Sequence, residues 1–297
     1  LTWKAGRNFD KDTPLSHIIR LLGAKTPDVP FNLETMVHED NGEDIPEEFD
    51  ARKQWPKCES ISEIRDQSAC GSCWAVSSTS AMSDRVCVAS NQKNQLRISA
   101  EDLLACCTDC GWGCNGGYLD RAWKYWVSKG IVSGGEYNSS VGCKPYPFPR
   151  CDHHINDSLT PCNEKYPTPV CKDVCDAASK LIYKQDKHRG ETMYYLPNDV
   201  RQIQLEIMKN GSVVGDFTAY EDFISYKSGV YKHYSQNIFG GHAVRIIGWG
   251  VENKVPYWLV TNSWNGRWGD KGLFKILRGE DECGIEGGIV AGTPKNE

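Results

Sequence analysis

A cysteine that begins a run of helix-forming residues is the best candidate for a reactive group in this chain. Cys73 lies in the stretch from Gln67 to Ala75, and the run that continues to Val88 is rich in Ala, Ser and Met. The unpaired N–H groups and the positive dipole end at a helix start favour a thiolate over a thiol. We therefore expect Cys73 to ionise more easily than a free cysteine and to act as a nucleophile.

Two polar residues far along the chain could complete this chemistry. Acyl transfer by cysteine needs a base that holds the thiolate as an ion pair, a group that orients the base, and donors for the oxyanion. His242 follows two glycines at the start of a predicted strand, and Asn262 ends another. His242 alone could equally be a buried core histidine, but with Cys73 and Asn262 it fits the base of a nucleophile, base and orienter set.

The residues around Cys73 match a known signature. Cys70 and Cys73 form a C-x-x-C pair, which could be a disulfide, a redox motif or half of a zinc site. The sequence C-G-S-C-W from Cys70 to Trp74 is, however, the local signature of papain and cathepsin cysteine proteases. The order Cys73, His242, Asn262 is also the papain-like order, so the chain resembles that family.

The resemblance implies a role for each of these residues. Cys73 attacks the peptide carbonyl, and His242 then protonates the leaving amine. Asn262 holds the imidazole, while Trp264 covers that hydrogen bond from water. The Gln67 side-chain amide and the Cys73 backbone N–H form the oxyanion hole. One such donor stabilises the oxyanion by roughly 2.7 to 4 kcal/mol.

The spacing of the three residues departs from the family's usual one. His242 lies 169 residues and Asn262 189 residues after Cys73, whereas about 130 to 150 residues is typical. The region from Gly134 to about Gly190 is rich in proline and cysteine, and regular structure is not expected there. We interpret the extra residues as an insertion in that region.

Between Cys58 and about Ser133 the sequence predicts helices separated by cysteine-rich turns. One helix follows Cys73, a second follows Ser99, whose hydroxyl can cap its start, and a third runs from Leu119 to Lys129.

Later in the chain the hydrophobic pattern changes to a period close to two. It predicts one helix from Pro197 to Asn210 and strands over Val213 to Phe217, Ala243 to Trp249, Tyr257 to Thr261 and Leu273 to Leu277. The predicted fold class is therefore α+β. The resemblance implies a papain-like two-domain fold, with a helical left half, a β-rich, barrel-like right half and the active-site cleft between them.

Composition excludes several other classes of protein. The chain has 297 residues, a net charge of −5 and no basic run, so a nucleic-acid partner is not expected. No apolar stretch reaches the roughly 18 residues of a membrane span. No metal or cofactor is predicted.

Cysteine usage indicates an oxidising compartment. The 14 cysteines, with N-x-[ST] sequons at Asn138, Asn156 and Asn210, indicate a lysosomal or secreted protein. Zinc is the alternative for the four cysteines between 106 and 114, but their spacing from the next C-x-x-C pair is outside the zinc-ribbon range. The resemblance implies six disulfides, which leave Cys73 and Cys283 free. The pairs are Cys58–Cys87, Cys70–Cys114, Cys106–Cys171, Cys107–Cys110, Cys143–Cys175 and Cys151–Cys162.

Residues 1 to 44 differ from the rest of the chain. They hold no cysteine, one short apolar segment from Leu15 to Leu22, and part of an acidic linker from Glu39 to Glu48. They could be an arm packed on the domain without a regulatory role. The stretches Trp3 to Phe9 and Leu21 to Gly23, however, resemble the pro-segment of cathepsin B, which implies a peptide that blocks the cleft. By this likeness residues 1–44 are a partial pro-segment, 45–297 are the peptidase domain, and the chain is a zymogen.

An insertion at about 143–175 resembles the occluding loop of cathepsin B. It contains the run Cys151 to His154 and, further on, Cys162. Two adjacent imidazoles, His153 and His154, can receive the C-terminal carboxylate of a peptide in acid. The implied activity is removal of C-terminal dipeptides together with endopeptidase activity. If the resemblance is set aside, His153 and His154 could be a solvated loop pair or a chance metal site.

The chain departs from cathepsin B at one of the two ion pairs that latch this loop. The first pair is present as His153 and Asp66. In the second, Leu159 replaces an arginine and Arg267 replaces an aspartate. An exposed pair contributes about 0 to 1 kcal/mol, so we expect a looser loop and more endopeptidase activity.

Substrate-binding positions follow from the same likeness. Gly116, Gly117 and Gly241 are expected to contact substrate backbone, although the run from Gly113 to Gly117 could be an ordinary tight turn. In the pocket for the second residue before the scissile bond, Gly288 replaces a glutamate that accepts arginine. Asp216 falls where a small wall residue is expected, and we expect it to supply the acid in place of that glutamate.

Two other classes remain as alternatives. One is a catalytically silent relative that acts as a binding module, and the other is a disulfide-rich structural or inhibitory module. The intact set of Gln67, Cys73, His242 and Asn262 favours the enzyme. Expected partners are peptide and protein substrates, the chain's own pro-segment and cystatin-type inhibitors.

Overall fold

The structure is a computed structural model and describes residues 1–26, 33–152, 159–162 and 165–295. Its α-helices are α1 (Leu15–Arg20), α2 (Ala51–Gln54), α3 (Glu59–Ser62), α4 (Cys73–Ala89), α5 (Ala100–Cys106), α6 (Leu119–Ser128) and α7 (Val200–Asn210). Its strands are β1 (Trp3–Ala5), β2 (Phe49–Asp50), β3 (Cys151–Asp152), β4 (Thr160–Pro161), β5 (Tyr194–Tyr195), β6 (Val213–Tyr220), β7 (Tyr226–Tyr231), β8 (Ile238–Glu252), β9 (Val255–Thr261), β10 (Leu273–Leu277) and β11 (Val290–Ala291). The predicted helices and strands are confirmed, and so is the α+β class.

Helix α4 is the centre of the helical half. Every residue from Cys73 to Cys87 is buried, because small side chains let the helix pack against neighbours on all sides. Three of its buried hydroxyls, those of Thr79, Ser80 and Ser83, donate to carbonyls within the helix. Ser80 donates to the carbonyl of Val76 at 2.7 Å, and Ser83 donates to that of Thr79 at 2.6 Å. The second predicted helix, α5, begins after Ser99, whose hydroxyl accepts from the Asp102 N–H as expected.

The β-rich half is one large sheet. Its nine strands pair in the order β1-β7-β10-β9-β8-β6-β11-β5, and β2 adds to β8. The expected barrel-like half is therefore corrected: within the described chain the pairing runs from edge to edge and does not close. Long strand β8 pairs antiparallel with both β6 and β9, which brings His242 opposite Phe217.

The N-terminal segment, residues 1–26, packs on this sheet. Strand β1 pairs antiparallel with β7, and Trp3 is buried among the sheet's core aromatics. Residues 33–48, which precede β2, are largely exposed but contact α7 through side chains. His38 Nε2 lies 2.6 Å from Glu206 Oε2, and Asp40 forms an ion pair with Arg201 at 2.6 Å.

Six disulfides join the same six pairs of cysteines that the resemblance implies. Cys73 and Cys283 are free cysteines. Among the residues that the structure describes, no helix has the length and apolar character needed to span a membrane.

Candidate active site

Cys73 is the first residue of α4 and is completely buried. Burial raises the pKa of its thiol to about 11, although the N–H groups of Ala243, Gly23 and Trp74 favour the thiolate. The expectation of an easily ionised Cys73 is therefore wrong for this state of the protein. The helix start acts in the predicted direction, but the N-terminal segment covers the sulfur and the loss of hydration is larger. The Gly23 N–H donates to Cys73 Sγ at 3.2 Å.

His242 and Asn262 come together from neighbouring strands. His242 Nε2 is 2.7 Å from Asn262 Oδ1, and because the amide oxygen can only accept, the ring nitrogen donates. Both side chains are buried. Burial lowers the pKa of His242 to about 4 against the opposing effect of the Asn262 hydrogen bond. His242 Nδ1 has no hydrogen-bond partner in the described chain, so this nitrogen is available to a reacting group.

Aromatic rings enclose the imidazole. The Trp264 ring centroid is 4.8 Å from that of His242, in the covering position that the resemblance implies. Phe217 and Phe223 pack at 5.9 Å and 6.4 Å, and sequence reasoning did not identify either of them as part of the site. The alternation of β6 could have indicated Phe217, which faces His242 across the strand pair.

Strand β8 is fixed against the start of α4. Ser77 Oγ donates to the carbonyl of Ala243 at 2.9 Å, and the Ala243 N–H faces the Cys73 sulfur. These contacts bring the residue that follows His242 to the nucleophile. The structure thereby joins the three residues predicted from the family motifs into one buried cluster.

The Gln67 side-chain amide contacts both the N-terminal segment and the turn before Cys73. Nε2 donates to the carbonyl of Leu21 at 2.9 Å and to that of Cys70 at 2.8 Å. Its Oε1 accepts from Ser263 Oγ at 2.6 Å and from Trp264 Nε1 at 3.1 Å. The two donors fix which end of the amide faces the cleft. Sequence reasoning missed Ser263, although it lies between Asn262 and Trp264, which were both identified.

Two glycines bind the backbone of the N-terminal segment. The Gly117 N–H donates to the Gly23 carbonyl at 2.9 Å, and the Lys25 N–H donates to the Gly117 carbonyl at 3.0 Å. The Ala24 N–H donates to the Gly241 carbonyl at 3.1 Å. The chain thus lies between the helical half and the sheet, hydrogen-bonded to both.

The close approach depends on the absence of side chains. A Cβ atom at Gly116, where φ is +114°, would lie 2.8 Å from the Gly23 carbonyl oxygen. A Cβ at Gly241 would lie 2.6 Å from the Ala24 oxygen. The structure therefore places all three predicted backbone-binding glycines against the N-terminal segment.

Comparisons with known proteins identify the family. A family model described as "Papain family cysteine protease" matches residues 45–293. The chain belongs to the papain family of cysteine proteases. A second model, described as "Peptidase family C1 propeptide", matches residues 1–27 of this papain-family chain.

Its relatives narrow the group further. The chain is 49% identical over 297 residues to a cathepsin B-like cysteine proteinase of Schistosoma japonicum, covering 99% of this chain and 86% of the relative. It is 53% identical over 256 residues to cathepsin B-like cysteine proteinase 6 of Caenorhabditis elegans, covering 85% and 67%. The solved structure of proCathepsin B S9 from Trypanosoma congolense matches with a TM-score of 0.87 and 39% identity, covering 100% of this chain and 94% of that one. The chain is thus a cathepsin B-like cysteine protease with a propeptide.

Asp216 lies beside the position where this papain-family chain has Gly288. A Cβ at Gly288 would lie 2.8 Å from Asp216 Oδ1, so the carboxylate occupies the space next to it. Burial, with a smaller contribution from the charge of Asp120, raises the pKa of Asp216 to about 6. The structure thus brings together the two residues that the sequence comparison paired.

The predicted carboxylate-binding histidines, His153 and His154, lie outside the described residues, as does the sequon at Asn156. Their expected neighbour Asp66 is buried and accepts from the Ser68 N–H at 2.8 Å. Asn265 Nδ2 links Asp66 to the loop, at 3.2 Å from Asp66 Oδ2 and 3.4 Å from the Cys151 carbonyl oxygen.

Proposed function

We propose that this chain is an inactive proenzyme in which residues 1–44 form a pro-segment and the mature enzyme begins near Ile45. One observation carries the proposal. The backbone from Leu21 to Ala24 forms hydrogen bonds with the Gln67 amide, the Cys73 sulfur and the Gly241 carbonyl at the same time. A peptide substrate needs these same groups, so the segment and a substrate exclude each other.

The proposed mechanism assigns each buried side chain one task. Cys73 forms the bond to the peptide carbonyl carbon, and the electrons of the carbonyl move onto its oxygen. Ser263 and Trp264 orient the Gln67 amide by donating to its Oε1. Gln67 Nε2 then donates to the substrate oxygen instead of to the Leu21 carbonyl.

As the oxyanion collapses and the peptide bond breaks, His242 gives its proton to the amine, and Asn262 keeps the ring oriented. Water then adds to the Cys73 thioester and gives a proton to His242, and the C–S bond breaks to release the carboxylic acid.

Removal of the N-terminal segment also changes the protonation state. With the site covered, a thiol of pKa about 11 and an imidazole of pKa about 4 are both neutral at pH 7. Water that enters the opened cleft lowers the first pKa and raises the second, because burial is the main cause of both shifts. The mature pair is then a thiolate and an imidazolium, the form that attacks.

The proposed activity includes both endopeptidase cleavage and removal of C-terminal dipeptides. The second activity depends on His153 and His154, whose protonated rings receive a terminal carboxylate. Because Leu159 and Arg267 replace the second latch pair, we expect the endopeptidase share to be large. Asp216 is proposed to select a basic residue two positions before the cleavage site.

The proposed setting is the lysosome or the extracellular space. Six disulfides support an oxidising secretory route, since such bonds do not persist in the cytosol. Proposed partners are peptide and protein substrates and cystatin-type inhibitors that enter the opened cleft.

A rate comparison on two matched peptides tests this function. The protein is matured in acid, and peptides of one sequence with a free or an amidated C-terminus are cleaved between about pH 4.5 and 7.5, a range that spans an unperturbed histidine pKa. We expect cleavage of both peptides, with the free-terminus advantage fading as pH rises. Cys73→Ser, with its N-terminal segment removed by added parent enzyme that is then separated, is the control without a nucleophile, and His153→Ala with His154→Ala should remove only the advantage. Equal cleavage by Cys73→Ser would overturn the enzyme proposal.

A further inference from the structure

A second group of metal-ligating side chains lies apart from the Cys73 cluster. His233 follows β7, while Glu282 and Cys283 lie in a single 3₁₀ turn after β10. His233 Nδ1 is 2.6 Å from Glu282 Oε1 and 3.8 Å from Cys283 Sγ, and Cys283 Sγ is 3.3 Å from Glu282 Oε1. One nitrogen, one oxygen and one sulfur therefore converge.

We propose that His233, Glu282 and Cys283 bind a divalent cation of the Zn²⁺ class, with solvent as the fourth ligand. Tetrahedral Zn²⁺ at its usual bond lengths places such ligand atoms roughly 3.3 to 3.6 Å apart. The two distances to sulfur, 3.8 and 3.3 Å, already lie near this range. The contact between His233 and Glu282 must open by about 0.7 Å to admit the ion.

The surroundings hold the three ligands but leave one side open. The Tyr220 ring stacks on His233 with centroids 4.2 Å apart and planes at 13°, which fixes the imidazole. The His233 backbone N–H donates to Glu282 Oε1 at 2.8 Å, so the carboxylate is also held. Glu282 is 6% exposed and His233 is 27% exposed, which leaves a coordination position for water.

The Cys283 sulfur already lies in contact with both other ligands. Its thiol donates to Glu282 Oε1 at 3.3 Å, and Sγ is 3.8 Å from His233 Nδ1. As the Zn–S bond forms, the S–H bond breaks and the thiol proton leaves to solvent.

This site differs from the sequence prediction, which expected no metal. His233 and Cys283 are 50 residues apart in the chain, and neither belongs to a ligand-spacing motif. The site is also separate from the proposed reaction. Its test measures ion binding, so it can fail or succeed independently of the protease function.

The experiment uses the full chain with Cys73→Ser, which removes the other free thiol and prevents self-processing. Calorimetric titration with Zn²⁺ at neutral pH should show one ion per chain, and Co²⁺ should give a thiolate-to-metal charge-transfer band. Added Cys283→Ser or His233→Ala should abolish the band. Either change should weaken Zn²⁺ binding by more than the roughly 10- to 100-fold that loss of an outer-shell partner costs.

Two matched variants control for other histidines. His188→Ala removes a histidine that faces Asp186 at 3.3 Å and is not one of the proposed ligands, and it should leave binding unchanged. His153→Ala with His154→Ala tests the alternative metal site in the insertion and should also leave binding unchanged. The proposal is overturned if the parent shows no charge-transfer band, a result that needs no variant to fold. It is equally overturned if Zn²⁺ binding survives Cys283→Ser or disappears with the loop variant.

Discussion

Replacing Gly23 with alanine should release the N-terminal segment from the site. A Cβ atom at this position would overlap the Gly71 carbonyl, which is backbone and cannot rotate away. Overpacking of this kind costs about 1 to 3 kcal/mol. The Gly23 contact with Cys73 and the neighbouring contact of Leu21 with Gln67 must then open together. The population of open molecules should increase roughly 5- to 150-fold.

Alkylation of Cys73 in the proenzyme at pH 7 measures that population. A thiol of pKa about 11 holds roughly 300-fold less thiolate at pH 7 than one of pKa about 8.5, so the covered form reacts slowly. The label is quantified by mass spectrometry on the peptide that contains Cys73, because Cys283 is also a free thiol. We expect Gly23→Ala to be labelled 5- to 150-fold faster than the parent, a range set by the overpacking cost.

The matched control makes the same substitution in the same segment. At Gly6 the three atoms nearest to an added Cβ all belong to the Lys227 side chain, which is flexible and can move aside, and none belongs to the backbone. Gly6→Ala should therefore be labelled at the parent's rate. If Gly23→Ala is labelled no faster than Gly6→Ala, the close fit of the segment does not control access to Cys73, and the reasoning is refuted.

Three further predictions concern individual side chains. Asp216→Asn should lower the preference for arginine over leucine two residues before the cleavage site by roughly 10- to 150-fold. Because the acid is neutral below its pKa of about 6, the parent's preference should also fall as pH drops through that value. An unchanged ratio of the two kcat/KM values in either experiment would contradict this role of Asp216. Ser263→Ala removes one donor to Gln67 Oε1 and should lower kcat roughly tenfold with KM nearly unchanged; an effect on KM alone would be against it. Burial opposes the charge of Glu206, but Arg85 and the hydrogen bond from His38 lower the pKa of this carboxyl to about 2. The ionised carboxylate therefore stabilises the fold fully above its unfolded pKa, and this contribution is lost as pH falls towards 2. Glu206→Gln should reduce the free energy of unfolding at pH 7 by about 3 to 5 kcal/mol in denaturant titration, and a change below 1 kcal/mol would contradict the buried pairing.

Local signals in the sequence were sufficient to predict the helices and strands and to identify the residues proposed for catalysis. The helix start at Cys73 and the Ser99 cap depend on neighbours within a few residues, and both are found in the structure. The strands that carry His242 and Asn262 follow from alternation of side chains. The family motifs then identified His242 and Asn262, which the structure places 2.7 Å apart although 20 positions separate them.

Long-range effects were not predictable in the same way. The covering of Cys73 reverses its expected pKa shift, because desolvation depends on which distant segment packs over the thiol. Whether a sheet closes into a barrel depends on which strands lie at its edges. The alternation of side chains within one strand does not predict which strands it pairs with. The convergence of His233 with Cys283 depends on a turn whose conformation no local pattern specified.

Covalent labelling with a peptide that carries an electrophilic carbon at the scissile position tests the central claim most directly. In the matured protein we expect one label per molecule, mapped to Cys73, with peptidase activity falling in proportion to labelling. The proenzyme and a matured His242→Ala variant should both react far more slowly. If activity persists when Cys73 is fully labelled, or if the label maps to Cys283, then Cys73 is not the nucleophile and the proposed mechanism is wrong.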